Sequence, residues 1–381
     1  MERITVRTLW DNGDQDRSWS DAIARRNVKA EDLEYDDATG ILFSMDRTAS
    51  AFVVSILQDG GLNEMRIDGT SGADTITVTA SVAIDASIIL TGGDGSDRLR
   101  VETLDTDDFL YGGEGHDQLY GGFGDDRLYG GTGNDILHGE DGDDRLYGGS
   151  GTDTLFGHEG DDIIFGNEGN DLLIGHNGND DLYGLDDDDR IIGGNGDDRI
   201  YGGDGEDTIF GGSQNDRLEG GAGNDELHGN NGNDRVIGGS GEDVLYGDSG
   251  NDKLYGGDGN DILFDGTGRD LMYGNGGSDV FAFTTIDGNI DRIQDFTLNG
   301  AEQDSLNITE IISGYSKLTS DINDFVFFDV ISSGRTDMMV NPNGSRGDWI
   351  HLVTIRGSNF SGTDADDLLA SGQLILNEFA V

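Results

Sequence analysis

The sequence predicts an all-β solenoid, and three observations carry that prediction. A nine-residue unit recurs nineteen times between residues 112 and 282 without insertion or deletion. Its sixth position is Asp in every copy, and its eighth is apolar in every copy, from Leu119 and Leu128 to Met272 and Phe281. Its first, second and fourth positions are mostly glycine, as in Gly121-Gly122-Phe123-Gly124-Asp125-Asp126-Arg127-Leu128-Tyr129. A fixed period of this length decides the architecture before local propensity does.

The elements follow from the unit. Glycines at positions one, two and four permit positive φ and close backbone approach, so the first six residues are expected to form a tight turn. Only the last three are expected to be extended. In a three-residue strand the eighth-position side chain points one way and its neighbours the other. Two units then make one coil of eighteen residues, with two turns, two short strands and both eighth-position side chains inward. One coil cannot bury such a core alone, so coils must stack.

Residues eighteen apart therefore lie in register, and the two outer faces can be read separately. One face stacks Tyr111, Tyr129, Tyr147, Phe165, Tyr183 and Tyr201 beside Arg199, Arg217, Arg235 and Lys253. A ladder of this kind is open to two readings, cross-strand stacking or a glycan-binding surface. The opposite face is more apolar, with Ile136, Leu172, Val244, Ile262 and Val280 at position seven and Phe156, Ile174, Ile192, Phe210, Tyr246 and Phe264 at position nine. Contiguous apolar area marks an interface. Its expected cover is the C-terminal segment folding back or a second copy in a homodimer.

The units resemble the haemolysin-type calcium-binding repeat of RTX proteins, over 171 of 381 residues. The resemblance implies a right-handed parallel β-roll or β-helix solenoid of nonapeptide repeats with N- and C-terminal β-rich caps. It also implies multiple Ca²⁺ ions held between coils by the position-six carboxylates and backbone carbonyls, an oxygen shell that suits Ca²⁺ far better than Zn²⁺. The expected ligands are Asp97, in an outlying unit, and Asp117, Asp126, Asp135, Asp144, Asp153, Asp162, Asp171, Asp180, Asp189, Asp198, Asp207, Asp216, Asp225, Asp234, Asp243, Asp252, Asp261, Asp270 and Asp279. Departures from the pattern include Asp187 and Gln214 at position four and Asp265 at position one. Those turns are expected to bind more weakly.

Charge agrees with a metal. The chain carries 77 acidic against 23 basic residues, net −54, which excludes nucleic acid as a partner and opposes compaction unless neutralised. The array alone holds 40 acidic and 8 basic residues. Its repeats form seventeen pairs eighteen residues apart, and one Ca²⁺ per pair brings roughly 34 positive charges, close to balance. There is no cysteine, so neither a disulfide framework nor a thiolate site is available. No stretch approaches 18 apolar residues, and residues 1–7 lack the apolar core of a signal peptide, so neither a transmembrane segment nor a cleaved leader is expected.

Outside the array the chain reads in three parts. Residues 1–68 have no assigned role: Ile4, Val6 and Thr8 alternate like a strand, Ser20 is placed to cap a short helix, and Phe52-Val53-Val54-Ser55-Ile56-Leu57 reads as a buried strand. Asp11-Asn12-Gly13-Asp14-Gln15-Asp16 begins like an EF-hand loop, but its twelfth position is Ala22 rather than a bidentate Glu. Residues 69–111 hold two degenerate units 23 residues apart, beginning at Gly69 and Gly92, and read as wider coils leading into the roll. Residues 283–381 resemble the capping and type I secretion target domain of RTX proteins. The resemblance rests on the strands starting at Asp291, Asp304, Asp337 and Trp349, on the stretch from Leu368, and on the terminal Asn377-Glu378-Phe379-Ala380-Val381.

Catalytic patterns are missing. No His-Glu-x-x-His occurs, since His158-Glu159-Gly160-Asp161-Asp162 ends in Asp, and no Gly-x-Ser-x-Gly elbow exists. Histidines 116, 138, 158, 176 and 228 are expected to be scattered by the period rather than to converge. The reading is a non-enzymatic bacterial protein, secreted or at the cell surface, that folds on Ca²⁺ and is exported by type I machinery. Two alternatives stay open: the folding and secretion tail of a larger RTX enzyme, and an extracellular adhesin or matrix component.

Overall fold

The strands of the computed structural model are twice as long as the unit predicts. Most run six residues, from position seven of one unit to position three of the next, as in Gln118–Phe123, Arg127–Thr132 and Ile136–Asp141, while Val244–Tyr246, Ile262–Phe264 and Val280–Ala282 keep the expected three. The position-two glycines, at φ 117 in Gly122 and 115 in Gly131, bend the strand without ending it. The ladder to the next coil pairs positions seven to nine, skips position one, and resumes at two and three. Burial alternates along the strand, so the eighth-position side chain and the position-one glycine both face inward.

The structure describes residues 5–9, 33–35, 42–48, 51–58, 64–69, 71–80, 87–102, 105–298, 301–308, 310–311, 326–332, 335–341, 349–357, 365–371 and 373–375. The EF-hand-like start at 11–16, the cap at 20 and the terminus at 377–381 lie outside these residues. The chain forms two units, Met1–Ile191 and Ile192–Val381.

In the first unit two parallel sheets stack coil upon coil. Phe109–Glu114, Arg127–Thr132, Arg145–Ser150, Ile163–Glu168 and Asp181–Asp186 pair in succession in one. Arg98–Glu102, Gln118–Phe123, Ile136–Asp141, Thr154–Glu159 and Leu172–Asn177 do so in the other. Leu110, Leu119, Leu128, Leu137, Leu146, Leu155 and Ile164 fill the space between, fully buried. Towards the N-terminus the coils widen from 18 residues to 20 between Asp97 and Asp117 and 23 between Asp74 and Asp97. Ala51–Gln58 continues one sheet in parallel with Thr75–Ala80, and Glu64–Asp68 continues the other with Ser87–Asp94. Antiparallel strands Thr5–Leu9 and Leu42–Thr48 close them.

In the second unit the same stacking runs from Arg199–Asp204 through Arg217–Ala222, Arg235–Ser240 and Lys253–Asp258 to Leu271–Gly276. The roll then hands over to longer segments end-on. Asp291–Phe296 pairs in parallel with both Leu271–Gly276 and Ile350–Gly357, and Ser305–Asn307 adds to Val280–Ala282. The antiparallel strands Val326–Ser332 and Arg335–Val340 complete the sheet with Ile350–Gly357. Phe281, Phe283, Phe296, Met338 and Val353 make the core thicker here than in the roll. The stretch from Leu368 begins in a short helix, Ala365–Ser371, before Leu374–Ile375.

The outer faces differ less than expected. The tyrosine ladder is present, with ring centroids 4.8 Å apart for Tyr129 and Tyr147 and 5.1 Å for Tyr147 and Phe165. The other face carries position-nine ladders too, Tyr120–His138–Phe156 in the first unit and Phe210–His228–Tyr246–Phe264 in the second.

Candidate metal-binding turns

Each turn between strands is built around its Asp. The expected ligands from Asp97 to Asp279 are all buried, none more than 3% exposed. Within each unit they fall into two rows, because successive turns lie on alternate edges of the roll.

The two carboxylate oxygens have different surroundings. Oδ1 accepts the main-chain N–H of the Asp one coil earlier: Asp117 N–H donates to Asp135 at 2.8 Å and Asp126 N–H to Asp144 at 2.7 Å. In the second unit Asp198 N–H donates to Asp216 at 2.9 Å and Asp207 N–H to Asp225 at 2.9 Å. Oδ2 is buried with no hydrogen-bond partner among the described residues at Asp117, Asp126, Asp135, Asp144, Asp153, Asp162 and Asp171, and again at Asp216, Asp225, Asp234, Asp243, Asp252, Asp261 and Asp270. A buried carboxylate oxygen left in this state costs several kcal/mol unless a charge meets it.

The position-one glycine lets a second oxygen come close to that atom. Its φ is ordinary, so its lack of a side chain serves space rather than conformation. A Cβ on Gly130 would meet Oδ2 of Asp135 and the Gly148 carbonyl one coil on, each at 2.5 Å; at Gly211 it would meet Asp216 Oδ2 at 2.5 Å and the Gly229 carbonyl at 2.8 Å. A partnerless carboxylate oxygen and a main-chain carbonyl of the next coil thus close on the same glycine Cα, an approach that any side chain there would block, in turn after turn. Two hard oxygens facing one small space suit a cation of the Ca²⁺ type.

Electrostatics agree. Burial, joined by neighbouring carboxylates such as Asp108 and Asp144, pushes Asp126 up to about 9, and burial with like charges pushes Asp162 up to about 9 and Asp144 to about 8. Along the other row burial raises Asp117, Asp135 and Asp153 only to about 6. The first row is the more deeply buried, and position-five carboxylates add to the rise there, Asp125 and Asp143 at Asp144 and Asp143 at Asp162, where the second row has His116, Asn134 and Thr152.

Several residues of the site escaped the sequence reading. Asp108 is fully buried, accepts the Ile88 N–H at 2.7 Å and donates its own N–H to Asp126. Its signal was present, since Asp108 lies nine residues before Asp117 and Leu110 nine before Leu119, but that unit has no glycine. At the other end Asp291 and Asp304 take the same role for Asp270 and Asp279, at spacings of 21 and 25. Position five makes a second ladder, Asp143 N–H to Asp125 at 3.0 Å and Asp161 N–H to Asp143 at 2.8 Å.

Two expectations need correction. Position two departs from glycine more often than the three exceptions suggest: Glu140, His158, Asn167, His176, Leu185, Asn230, Asp248 and Asn275 all hold φ between 64 and 90. Asp265, at position one, is buried near Asp270, and burial holds its carboxyl well above the usual carboxylate range. The histidines do converge in one place, since His138 Nδ1 lies 2.9 Å from His158 Nε2 and the His176 ring stacks on His158.

The model of the RTX calcium-binding nonapeptide repeat matches in overlapping stretches that run without a gap from residue 91 to 281. The chain belongs to this family. Its RTX repeats are calcium-binding motifs, and the structure carries them as a parallel β-solenoid. Among solved structures it is similar to the solution structure of the AlgE6R3 subunit of the Azotobacter vinelandii mannuronan C5-epimerase, at 27% identity over 42% of this chain and 84% of that one, with a TM-score of 0.24. No curated protein matches it. Among the described residues of the RTX chain no helix is long and apolar enough to cross a membrane.

Proposed function

We propose that this chain is a secreted, non-enzymatic RTX protein whose array folds on Ca²⁺ outside the cell. The observation that supports this reading is the row of buried Asp Oδ2 atoms lacking a partner, which in turns such as those of Asp135 and Asp216 share a position-one glycine with a carbonyl of the next coil. The position-six carboxylates from Asp97 to Asp279, with Asp108, Asp291 and Asp304, and the position-one carbonyls of the next coil would hold the ions. Bound Ca²⁺ supplies the positive charge that lets the carboxylates stay ionised while buried. Oδ1 meanwhile ties each turn to the coil before it.

The core is one apolar side chain per nine residues, thin for so glycine-rich a chain, whose ordering cost is high. At millimolar Ca²⁺ and a dissociation constant of about 10⁻⁴ M each site adds roughly 1.4 kcal/mol, or about 20 kcal/mol over ~17 sites. At sub-micromolar Ca²⁺ that stabilisation nearly vanishes, and the chain stays a threadable coil. A Ca²⁺ titration of the full chain, followed by circular dichroism from excess chelator upwards, tests this. A cooperative rise of β signal is expected. Native-like signal in excess chelator at pH 8 would sink the proposal. Export by type I machinery through residues 300–381 is part of the same reading; deletion of residues 378–381 should leave the protein in the producing cell, and normal secretion of that truncation refutes it.

A further inference from the structure

A side chain at position two carries a conformational cost, because the backbone there has positive φ. In three consecutive coils of one sheet it is nevertheless Glu140, His158 and His176, at φ 83, 86 and 78. Strain of about 1 kcal/mol or more at each such residue is held only where surroundings or function require it. Most other departures at this position are Asn or Asp, which tolerate positive φ. Here Glu140 stacks on His158 and His158 on His176 in parallel register. His138, at position nine of the first of these strands, leans across, with Nδ1 2.9 Å from His158 Nε2. One ligand atom from each of His138, Glu140 and His158 lies within 4.8 Å of the others, and all three residues are half-buried.

We propose that His138, Glu140 and His158 form a transition-metal site of the Zn²⁺ class on the outer face of this sheet, separate from the calcium turns. Two imidazoles and one carboxylate are a borderline donor set that selects Zn²⁺, not the all-oxygen shell of Ca²⁺. Ligand atoms around tetrahedral Zn²⁺ lie roughly 3.3 Å apart, so the imidazole pair needs to open by only a few tenths of an ångström. The carboxylate reaches the same point by rotating side-chain bonds. Three protein ligands leave a fourth position for water. Arg98 and Arg100, both over the Tyr120 ring that stacks on His138, oppose a cation there, which makes the Glu140 charge essential. His176, stacked on His158 at 5.0 Å, holds that imidazole in line.

The test uses the full chain in saturating Ca²⁺, with folding checked by circular dichroism, and titrates Zn²⁺ by calorimetry and Co²⁺ by its visible absorption. The dichroism check separates failure of calcium-driven folding from failure of this site. One Zn²⁺ equivalent is expected, with affinity reduced at least tenfold in His138→Asn, Glu140→Gln and His158→Gly. His158→Gly restores the residue the repeat itself uses at this φ, so its thermal midpoint in Ca²⁺ without Zn²⁺ should be no lower than that of the parent. No Zn²⁺ binding in excess Ca²⁺ overturns the proposal. So does Zn²⁺ binding of equal affinity in all three variants, which would place the ion in the calcium turns.

Discussion

Asp144→Asn separates the two duties of a turn carboxylate. The amide oxygen can still accept the Asp126 N–H now bound to Oδ1 at 2.7 Å, while an NH₂ group replaces the partnerless Oδ2 and cannot ligate a cation. Burial, with Asp125, Asp143 and Asp141 nearby, raises Asp144 to about 8. For an acid raised in this way the folded chain binds its proton more tightly than the unfolded one. The penalty is nil below pH 4 and grows until pH reaches about 8. At pH 7, without metal, it amounts to about 4 kcal/mol. Asn does not titrate and removes it, against about 1–3 kcal/mol for burying an unpaired amide. The variant should therefore fold more readily than the parent in chelator, by roughly 1–3 kcal/mol, and take up one Ca²⁺ fewer. The gain in stability between chelator and 1 mM Ca²⁺ should shrink by about 1.4 kcal/mol. The assays are folding midpoints in trimethylamine N-oxide with chelator, where the osmolyte favours burial, and equilibrium dialysis with calcium. Equal destabilisation in chelator and in Ca²⁺, with an unchanged calcium count, would refute the reasoning.

The same sign predicts that acid folds the metal-free chain. Because the turn carboxylates are raised to between about 6 and about 9, β signal in chelator should rise as pH falls from 8 towards 4; circular dichroism on the monomeric fraction checks this, and a flat profile contradicts it. Gly139→Ala has ordinary φ, yet its Cβ would meet Asp144 Cγ at 2.8 Å and the Gly157 carbonyl at 2.9 Å. It should cost about 1–3 kcal/mol in Ca²⁺ by overpacking and lower the calcium count by one, both read by titration calorimetry and thermal melts. Gln214→Gly relieves φ 84 at position four and should raise stability in Ca²⁺ by about 1 kcal/mol, seen as a higher thermal midpoint.

What the sequence disclosed and what it hid have a common cause. Period, core and turn carboxylates were legible because each is one residue type at a fixed interval: Leu119, Leu128 and Leu137 line up inside as expected, and so do Asp117, Asp126 and Asp135. Strand length was not legible, because glycine normally interrupts a strand; Gly122 at φ 117 bends this one and lets the ladder resume. Asp108 was hidden by the absence of glycine around it, and Asp291 and Asp304 by spacings that leave the period. The meeting of His138 with His158 was hidden because they are twenty residues apart, at positions nine and two of different units. Only a strand that runs through position one puts those two positions on one surface.

The two side-chain ladders reach in opposite directions. Position six accepts from the coil before, as Asp144 does from Asp126, and position five from the coil after, as Asp125 does from Asp143. Each turn is thus matched to its own row and not to the neighbouring edge. A duplication of eighteen residues inserts a coil that finds its donors and acceptors waiting on both sides. A duplication of nine shifts everything downstream to the opposite edge: the Asp125–Asp143 row would continue through turns built with Asn134 and Thr152, and Tyr147 would move to the face of Phe156. An even change in copy number therefore leaves both outer faces and both position-five rows in register, which makes the coil, not the nonapeptide, the repeating unit of those surfaces.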